Sequence, residues 1–374
     1  MNRREFLAYG AFGGGAALLS ATTPAGAQTV ATTVNYELSI EPVDVEMIDG
    51  RVVYMLLFYG GAPGERTPRP MLRATQGDTV VIRITNNAPE AHRFQIPGVT
   101  GATMTSLAPG RTREVRFTAP VGGSYMYLDP LNAPLYRLVG LHGAFVSVPR
   151  IGTTVAGSPT PYSSASLTPA VSAVFDALGS HPRFPGEKWD PTNPDRQKVW
   201  IFSQTDPSLN AQVEQRATVN LAAIPTTFRP RYFTINGLSG FDLDDEYSVR
   251  PVGYEGQPVL LRTMNAGLAT HSPHIHGNHI FELASQTSTG AVAIRSNVYE
   301  RDAWMMAPLD RRDVLLPFYR PPDIPLAAWP PVEEPFPLRY VMHCHTEMSQ
   351  TAGGGNYPQG MVCHWEMSGP LQSA

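Results

Sequence analysis

The sequence predicts an all-β protein built from two similar β-sandwich domains. Its 374 residues suffice for two domains of ordinary size, and 42% of them are hydrophobic, enough to bury a sizeable core. The 33 glycines and 36 prolines favour a loop-rich β-architecture over helix bundles. A pattern of glycine turn, alternating strand and Asn-containing loop also occurs twice, which indicates two copies of one β-domain.

The N-terminal residues resemble an export signal. Arg3-Arg4-Glu5-Phe6-Leu7 precedes a short Gly/Ala-rich apolar stretch, and Ala25-Gly26-Ala27 then offers small residues for cleavage. The twin arginine resembles a Tat-type signal, so we expect residues 1–27 to be removed and the mature protein to be periplasmic or extracellular. A short membrane anchor is the alternative, but the stretch is too short and glycine-rich to span well. No other long apolar run occurs, so we expect no membrane span after cleavage.

The charge pattern gives no indication of a nucleic-acid partner. The formal net charge is −4, and no basic run occurs along the chain. Surfaces that bind nucleic acid need clustered Lys and Arg to neutralise phosphates. We therefore expect no nucleic acid among the partners.

The internal repeat sets the expected domain boundaries. Residues 77–98 align without gaps with residues 256–277, an offset of 179, and the identical pairs include Gly77 with Gly256, Arg83 with Arg262, Asn86 with Asn265, His92 with His271, and Ile96 with Ile275. We expect domain 1 over residues 31–150 and domain 2 over residues 195–370. The Pro/Ser/Thr-rich residues 151–194 between them are expected to form a linker or an ordered connection, and the proline-rich insertion 321–337 to be a loop.

Domain 2 holds two clusters of residues that can bind a metal. One cluster is His343-Cys344-His345. The other lies about seventy residues earlier and contains His271, His274 and His276. Successive side chains of a strand point to opposite faces, so Cys344 should face one way and its two histidine neighbours the other. One thiolate and several imidazoles suit copper or zinc, and a single strand could then serve two metal sites.

The two cysteines allow a different interpretation. In an exported protein a disulfide between Cys344 and Cys363 is conceivable if their strands are adjacent. We favour Cys344 as a thiolate ligand because two histidines flank it. Cys363 is then expected to be a buried free thiol.

These motifs together resemble the multicopper oxidase family, whose domains are cupredoxin-like Greek-key β-sandwiches. The stretch from His271 to Gly277 looks like the family's HPxHLHG motif, and His343-Cys344-His345 with Gly360-Met361 looks like its HCHxxxHxxxGM motif. Residues Arg231 to Gly237 look like the start of its last domain. Two domains, with the cysteine in the second, resemble small two-domain laccases.

The resemblance implies copper as cofactor and a role for each matching residue. His271 and Cys344 match ligands of the type 1 copper, which accepts electrons from the substrate, and Met361 matches its axial position. The remaining histidines match the site where oxygen is reduced: His274 matches a type 2 ligand, and the type 3 ligands are matched by His276, His343 and His345. The two sites would communicate through Cys344 and its flanking histidines.

The sequence departs from the family pattern at the type 1 site. The family's third type 1 ligand is a histidine, but Ser349 occupies that position here and the following loop is enlarged. Met348, His279 or His364 could substitute. Regular alternation, however, puts His364 on the face opposite Met361.

Domain 1 departs further from the family pattern. Where domain 2 has His274, His276, His343 and His345, the first copy has Gln95, Pro97, Leu128 and Pro130. Asp129 stands at the position of Cys344, and His92 survives at that of His271. Since a lone histidine rarely binds a metal, we expect His92 to be a polar core or surface residue.

Three functions are compatible with these features. The first is an exported laccase-like oxidoreductase that takes single electrons from a phenolic or metal-ion donor, with oxygen as a further partner. The second is a copper-binding or electron-transfer protein without oxygen turnover, and the third is a structural protein that has lost copper. The retained His-Cys-His argues against the third, and the missing donors of domain 1 argue against an ordinary laccase. A homo-oligomer stays open, because a neighbouring subunit could supply donors.

Overall fold

The computed structural model describes residues 30–286, 290, 292–329 and 335–371. The predicted export signal, residues 1–27, lies outside them. Four β-sheets dominate the described chain, and they form two sandwiches in sequence order. The all-β prediction is therefore confirmed.

The first sandwich pairs two five-stranded sheets. In the first sheet the spatial order is β3-β2-β1-β5-β8, with β1 Thr33–Glu46, β2 Val52–Gly61, β3 Thr67–Pro68, β5 Thr79–Asn86 and β8 Thr112–Thr118. In the second the order is β4-β10-β9-β6-β7, with β4 Leu72–Thr75, β6 His92–Gln95, β7 Thr103–Leu107, β9 Gly123–Leu128 and β10 His142–Val148. A core that includes Phe58, Phe94 and Tyr127 fills the space between them.

The second sandwich pairs a six-stranded with a four-stranded sheet. The larger has the order β12-β11-β14-β18-β16-β17, with β11 Gln197–Thr205, β12 Tyr232–Ile235, β14 Val259–Asn265, β16 Ile280–Gln286, β17 Val292–Arg301 and β18 Arg311–Leu316. The smaller has the order β13-β20-β19-β15, with β13 Val252–Gly253, β15 Pro273–Ile275, β19 Leu338–Cys344 and β20 Val362–Met367. This smaller sheet carries the two predicted metal-binding clusters.

Hydrogen bonding supports the internal duplication. The amide of Asn86 donates to the carbonyl oxygen of Glu90, and its own oxygen accepts from the backbone of Ala88. Asn265 makes the same two bonds, with Ala269 and Gly267. Each pair of partners is separated by the 179 residues of the sequence repeat. The asparagine therefore organises the loop that leads to the histidine strand in both sandwiches.

Helices are short and lie between the strands. They are α1 Leu135–Leu138, α2 Pro169–Ala177, α3 Pro207–Glu214, α4 Ile224–Thr227 and α5 Gly240–Asp244, with 3₁₀ turns at Pro194–Arg196, Leu221–Ala223, Leu326–Ala328 and Glu347–Gln350. Both longer helices begin with a capping side chain and a proline: Thr168 before α2 and Asp206 before α3. No helix of the described residues is long and apolar enough to cross a membrane.

The connection between the sandwiches is ordered. Tyr162, Phe175 and Trp189 are buried against apolar residues of the six-stranded sheet, among them Leu260 and Phe281. Of the two alternatives for residues 151–194, a linker or an ordered connection, the packing favours the second. Within its described residues, 321–329 and 335–337, the insertion contains the 3₁₀ turn Leu326–Ala328.

A buried ionic cluster joins the two sandwiches and their connection. The Asp313 carboxylate accepts hydrogen bonds from Ser124 of the first sandwich, from Tyr162 of the connection at 2.8 Å, and from Arg262 at 3.0 Å. Around it, apolar residues from β9 and β10 pack against β11 and β14. Because β14 is covered on both faces, all seven of its residues are buried rather than alternating.

Candidate metal centre

The pairing of β15 with β19 builds the candidate centre. In this antiparallel register Pro273 lies opposite Cys344 and His274 lies opposite His343. Residue pairs directly opposite in a sheet have neighbouring side chains on one face. The strand alternation predicted for His343-Cys344-His345 then divides the residues into two groups, one on each face of the sheet.

On the inner face, Cys344 and His271 approach each other. Both are buried, and the Cys344 Sγ lies 3.5 Å from His271 Nδ1. The backbone N–H of Ser272 donates to the sulfur at 3.3 Å, which stabilises negative charge there. Burial lowers the pKa of His271 to about 4, so the imidazole is neutral at pH 7, the form that binds metal ions. A neutral imidazole and a thiol at this separation fit two ligands of one ion.

Met361 and Ser349 stand at the remaining ligand positions of this pocket. Met361 is fully buried, and its backbone N–H donates to Ser349 at 2.7 Å, beside the Cys344 backbone. Ser349 is buried too, but its hydroxyl donates to the Thr346 carbonyl at 2.6 Å. The third ligand position is therefore filled by a hydroxyl engaged in a local turn.

The three substitutes considered for that ligand are bonded to other residues or exposed to solvent. His364 Nδ1 bonds Asp244 at 2.8 Å, and His279 lies between the carboxylates of Glu300 and Asp323. The side chain of Met348 is 61% exposed.

On the outer face, four imidazoles converge. His274 Nδ1 lies 2.8 Å from His345 Nε2 and 3.4 Å from His343 Nε2. His276 Nε2 lies 3.1 Å from His343 Nε2. Two nitrogens bound to one ion at about 2.0–2.1 Å can be at most about 4.2 Å apart. The nitrogens of His274, His343 and His345 lie close enough together for a single metal ion, with His276 beside His343. This face of β19 is open to solvent.

The electrostatics of this cluster favour neutral imidazoles. Burial and the neighbouring histidines lower the pKa of His274, and the same causes lower that of His343. On its other side, His274 Nε2 lies 3.2 Å from the Asp302 carboxylate, which orients the ring with Nδ1 towards the cluster. Neutral rings with inward lone pairs are what a metal ion requires.

The first sandwich brings the corresponding positions together without donors. Gln95 pairs with Leu128 between β6 and β9, as His274 pairs with His343 in the second copy. With Pro97 and Pro130, these residues line a cavity of about 350 Å³. The geometry of the repeat is thus kept, while the imidazoles are replaced by groups that bind copper poorly.

Two residues of the centre were not found from the sequence. Gln204 on β11 contacts His271 Nε2, and its oxygen accepts from the backbone of Leu268 at 2.7 Å. Asp302, the partner of His274, lies at the end of β17. Neither residue belongs to a motif with recognisable spacing, so no pattern in the sequence could have identified it.

Both cysteines lie in the described part of the chain and are free thiols, so the alternative of a disulfide is not realised. Cys363 is 1% exposed, and burial raises the pKa of its thiol, as expected for an inert core residue.

Sequence comparisons relate part of the chain to known copper proteins. A family model described as multicopper oxidase matches residues 61–150. Copper resistance protein A from Pseudomonas syringae pv. tomato is 30% identical over 129 residues, which are 32% of this chain. The chain matches only 20% of the length of that relative.

Solved structures with the same fold include copper enzymes. The blue copper oxidase from Nitrosomonas europaea superimposes with a TM-score of 0.63 and 18% identity, covering 90% of this chain and 86% of that one. The copper nitrite reductase from Nitrosomonas europaea gives a TM-score of 0.56 and 17% identity over 89% and 94% of the two chains. At these identities the likeness establishes the cupredoxin-like fold.

Proposed function

Since residues 61–150 match a multicopper oxidase family model and the chain has the two-sandwich cupredoxin fold, we propose that this protein is an exported copper oxidoreductase of laccase-like type. It takes single electrons from a small phenolic molecule or a metal ion. Cys344, His271 and Met361 would hold the copper that supplies one-electron chemistry, and the outer imidazoles would hold a second copper.

One observation carries the proposal. Cys344 and its two neighbours lie on opposite faces of β19, with His271 beside the sulfur and three further imidazoles beside His343. Adjacent residues of one strand thereby connect two donor sets through a short covalent path. Copper bound at such sites supplies reversible one-electron transfer.

The residues of the chain prepare both donor sets. The N–H of Ser272 stabilises thiolate character on Cys344, and Gln204 holds the ring of His271. Asp302 orients His274 on the outer face. These hydrogen bonds and the ion pair fix the orientation of the donor side chains before a metal binds.

Oxygen reduction is expected to be weak. The cavity lined by Gln95, Pro97, Leu128 and Pro130 offers no imidazole. The first sandwich therefore supplies none of the four histidines that the first domain of a multicopper oxidase gives to the oxygen site. This favours a second function, electron transfer without oxygen turnover. Donors from a neighbouring subunit of a homo-oligomer would restore turnover.

Export to the periplasm or beyond rests on residues 3–27 of the sequence, with twin arginines, an apolar stretch and a small-residue cleavage site. N-terminal sequencing of the exported protein should then begin at Gln28. Intact chains that remain in the cytoplasm would contradict export.

A donor-oxidation experiment tests the proposal. The copper-loaded full chain should be blue and should bleach when a phenolic donor or cuprous ion is added anaerobically, because the thiolate supplies the charge-transfer absorption. Cys344→Ser should abolish both the colour and the bleaching. Stopped-flow absorbance and an oxygen electrode measure the two half-reactions.

Cys363→Ala is the matched control, since Cys363 is the other buried thiol and lies on the neighbouring strand β20. It should leave the colour unchanged. A colourless copper-loaded protein, or a blue Cys344→Ser variant, would refute the assignment. Vigorous oxygen consumption by a proven monomer would refute the limit placed on turnover.

A further inference from the structure

The first sandwich contains a buried pair at the position that Cys344 and His271 occupy in the second. His92 and Asp129 are both fully buried, and His92 Nδ1 lies 2.7 Å from Asp129 Oδ2. The other carboxylate oxygen accepts the backbone N–H groups of Leu131 at 2.7 Å and Arg93 at 3.2 Å. Asp129 is therefore held rigidly, and it directs the ring of His92.

The opposite nitrogen of His92 lacks a hydrogen bond. Nε2 is buried and has no hydrogen-bond partner among the residues that the structure describes. The nearest carboxylate, Oε1 of Glu90, is 3.9 Å away, beyond hydrogen-bonding distance. A buried polar atom without a partner is destabilising, and the lone pair of this nitrogen is available to bind an ion.

A cavity lies beside this pair, although His92 is not part of its wall. Its volume is about 360 Å³, and Glu90, Asn132, Tyr136 and Arg216 contribute to its wall. The ring of Tyr136 also packs edge-on against that of His92, with centroids 4.6 Å apart. Glu90 therefore reaches from the cavity towards Nε2.

We propose that His92 Nε2 and Glu90 bind a divalent transition-metal ion at the edge of this cavity. The separation of 3.9 Å is shorter than the sum of a metal–nitrogen and a metal–carboxylate bond, about 4.1 Å, so one ion can contact both atoms. Asp129 then completes the carboxylate–histidine–metal arrangement that orients many metal-binding imidazoles. Water that reaches the ion past the partly exposed side chain of Glu90 would supply the remaining ligands.

This site differs from the metal centre of the second sandwich. There the donor of His271 faces Cys344 through Nδ1, whereas Nδ1 of His92 is occupied by Asp129. The ion is therefore placed on the other side of the ring. An imidazole with one carboxylate accepts Zn²⁺ and related ions, and two protein ligands imply weaker binding than at the four-imidazole cluster.

Anomalous diffraction at the zinc edge tests the proposal directly. Crystals of the full chain soaked in millimolar zinc chloride should show a peak between Glu90 Oε1 and His92 Nε2. A peak at the four-imidazole cluster in the same crystals is the control that zinc has diffused into them. An empty position between Glu90 and His92 would overturn the proposal, whether or not the cluster is filled.

Zinc binding in solution, measured for variants of the proposed ligands, is a second test. In a Cys344→Ser/His274→Ala/His345→Ala background, which weakens both metal sites of the second sandwich, calorimetry should detect one Zn²⁺ per chain. Glu90→Gln should weaken this binding at least tenfold, and Glu114→Gln, a change of an exposed carboxylate in the same sandwich, should not alter it. Asp129→Asn should weaken it about 10–100-fold. Unchanged affinity in Glu90→Gln would overturn the assignment of that ligand.

Discussion

At the scale of single residues, the pair of Asp244 and His364 holds the strand that follows Met361. One oxygen of Asp244 accepts both the backbone N–H and the ring Nδ1 of His364, each at 2.8 Å. Burial alone would raise the pKa of Asp244, but the hydrogen bonds and charge of His364 hold that pKa below its ordinary value of 3.8. The ionised carboxylate therefore stabilises the folded state.

Asp244→Asn should lower the free energy of unfolding at pH 7 by about 1 kcal/mol, a modest value because both side chains are partly exposed. A group with a lowered folded pKa stabilises above its unfolded pKa and loses that effect as the pH falls through its folded pKa. The difference from wild type should thus shrink below pH 3.8. Urea unfolding at several pH values measures it.

Asp245→Asn, at the exposed next position, is the matched control and should change stability by less than about 0.5 kcal/mol. A difference between Asp244→Asn and wild type that stays constant from pH 7 into acid would contradict the role given to the ionised carboxylate.

Residue types and strand alternation were sufficient to predict which donors come together. Histidines flanking a cysteine on a strand can only divide between two faces, and the side chains of Cys344 and His343 do so. Gln204 and Asp302 could not be predicted, because their positions depend on strand pairing across the sheet. The ligand roles themselves, including that of Met361, stay predictions until a metal is observed.

At the scale of elements, the repeat predicted the fold better than hydrophobic periodicity did. The alignment of β5 with β14 follows from the 179-residue offset alone. Periodicity fails at β14, whose residues are all buried because the first sandwich covers the outer face. The packing of the connection against the six-stranded sheet was equally inaccessible, since Pro/Ser/Thr-rich composition does not distinguish a linker from an ordered segment.

At the scale of the whole molecule, the buried carboxylate of Asp313 joins both sandwiches. It is 3% exposed and lies 3.0 Å from Arg262, which is fully buried. The first sandwich contributes Ser124 and the connection contributes Tyr162. The expected boundaries at 150 and 195 stay predictions, but these contacts indicate that the sandwiches depend on each other for stability.

Asp313→Asn should destabilise the chain by about 3–5 kcal/mol, because it leaves the Arg262 charge buried without its counter-ion. Tyr162→Phe, which removes only one hydrogen bond to the same carboxylate, should cost about 1 kcal/mol. Thermal unfolding measures both. Equal effects of the two changes would show that the charge pair does not hold the sandwiches together.

We propose that the second sandwich holds two tight copper sites, one on each face of β19. Copper counting by elemental analysis, with a visible spectrum of the same copper-loaded sample after washing with a weak chelator, tests it most directly. We predict two coppers per chain and a blue colour for the wild type, and one copper with the colour retained for His274→Ala/His345→Ala. A wild-type protein that retains no copper, or a double variant that loses the colour, would contradict the account.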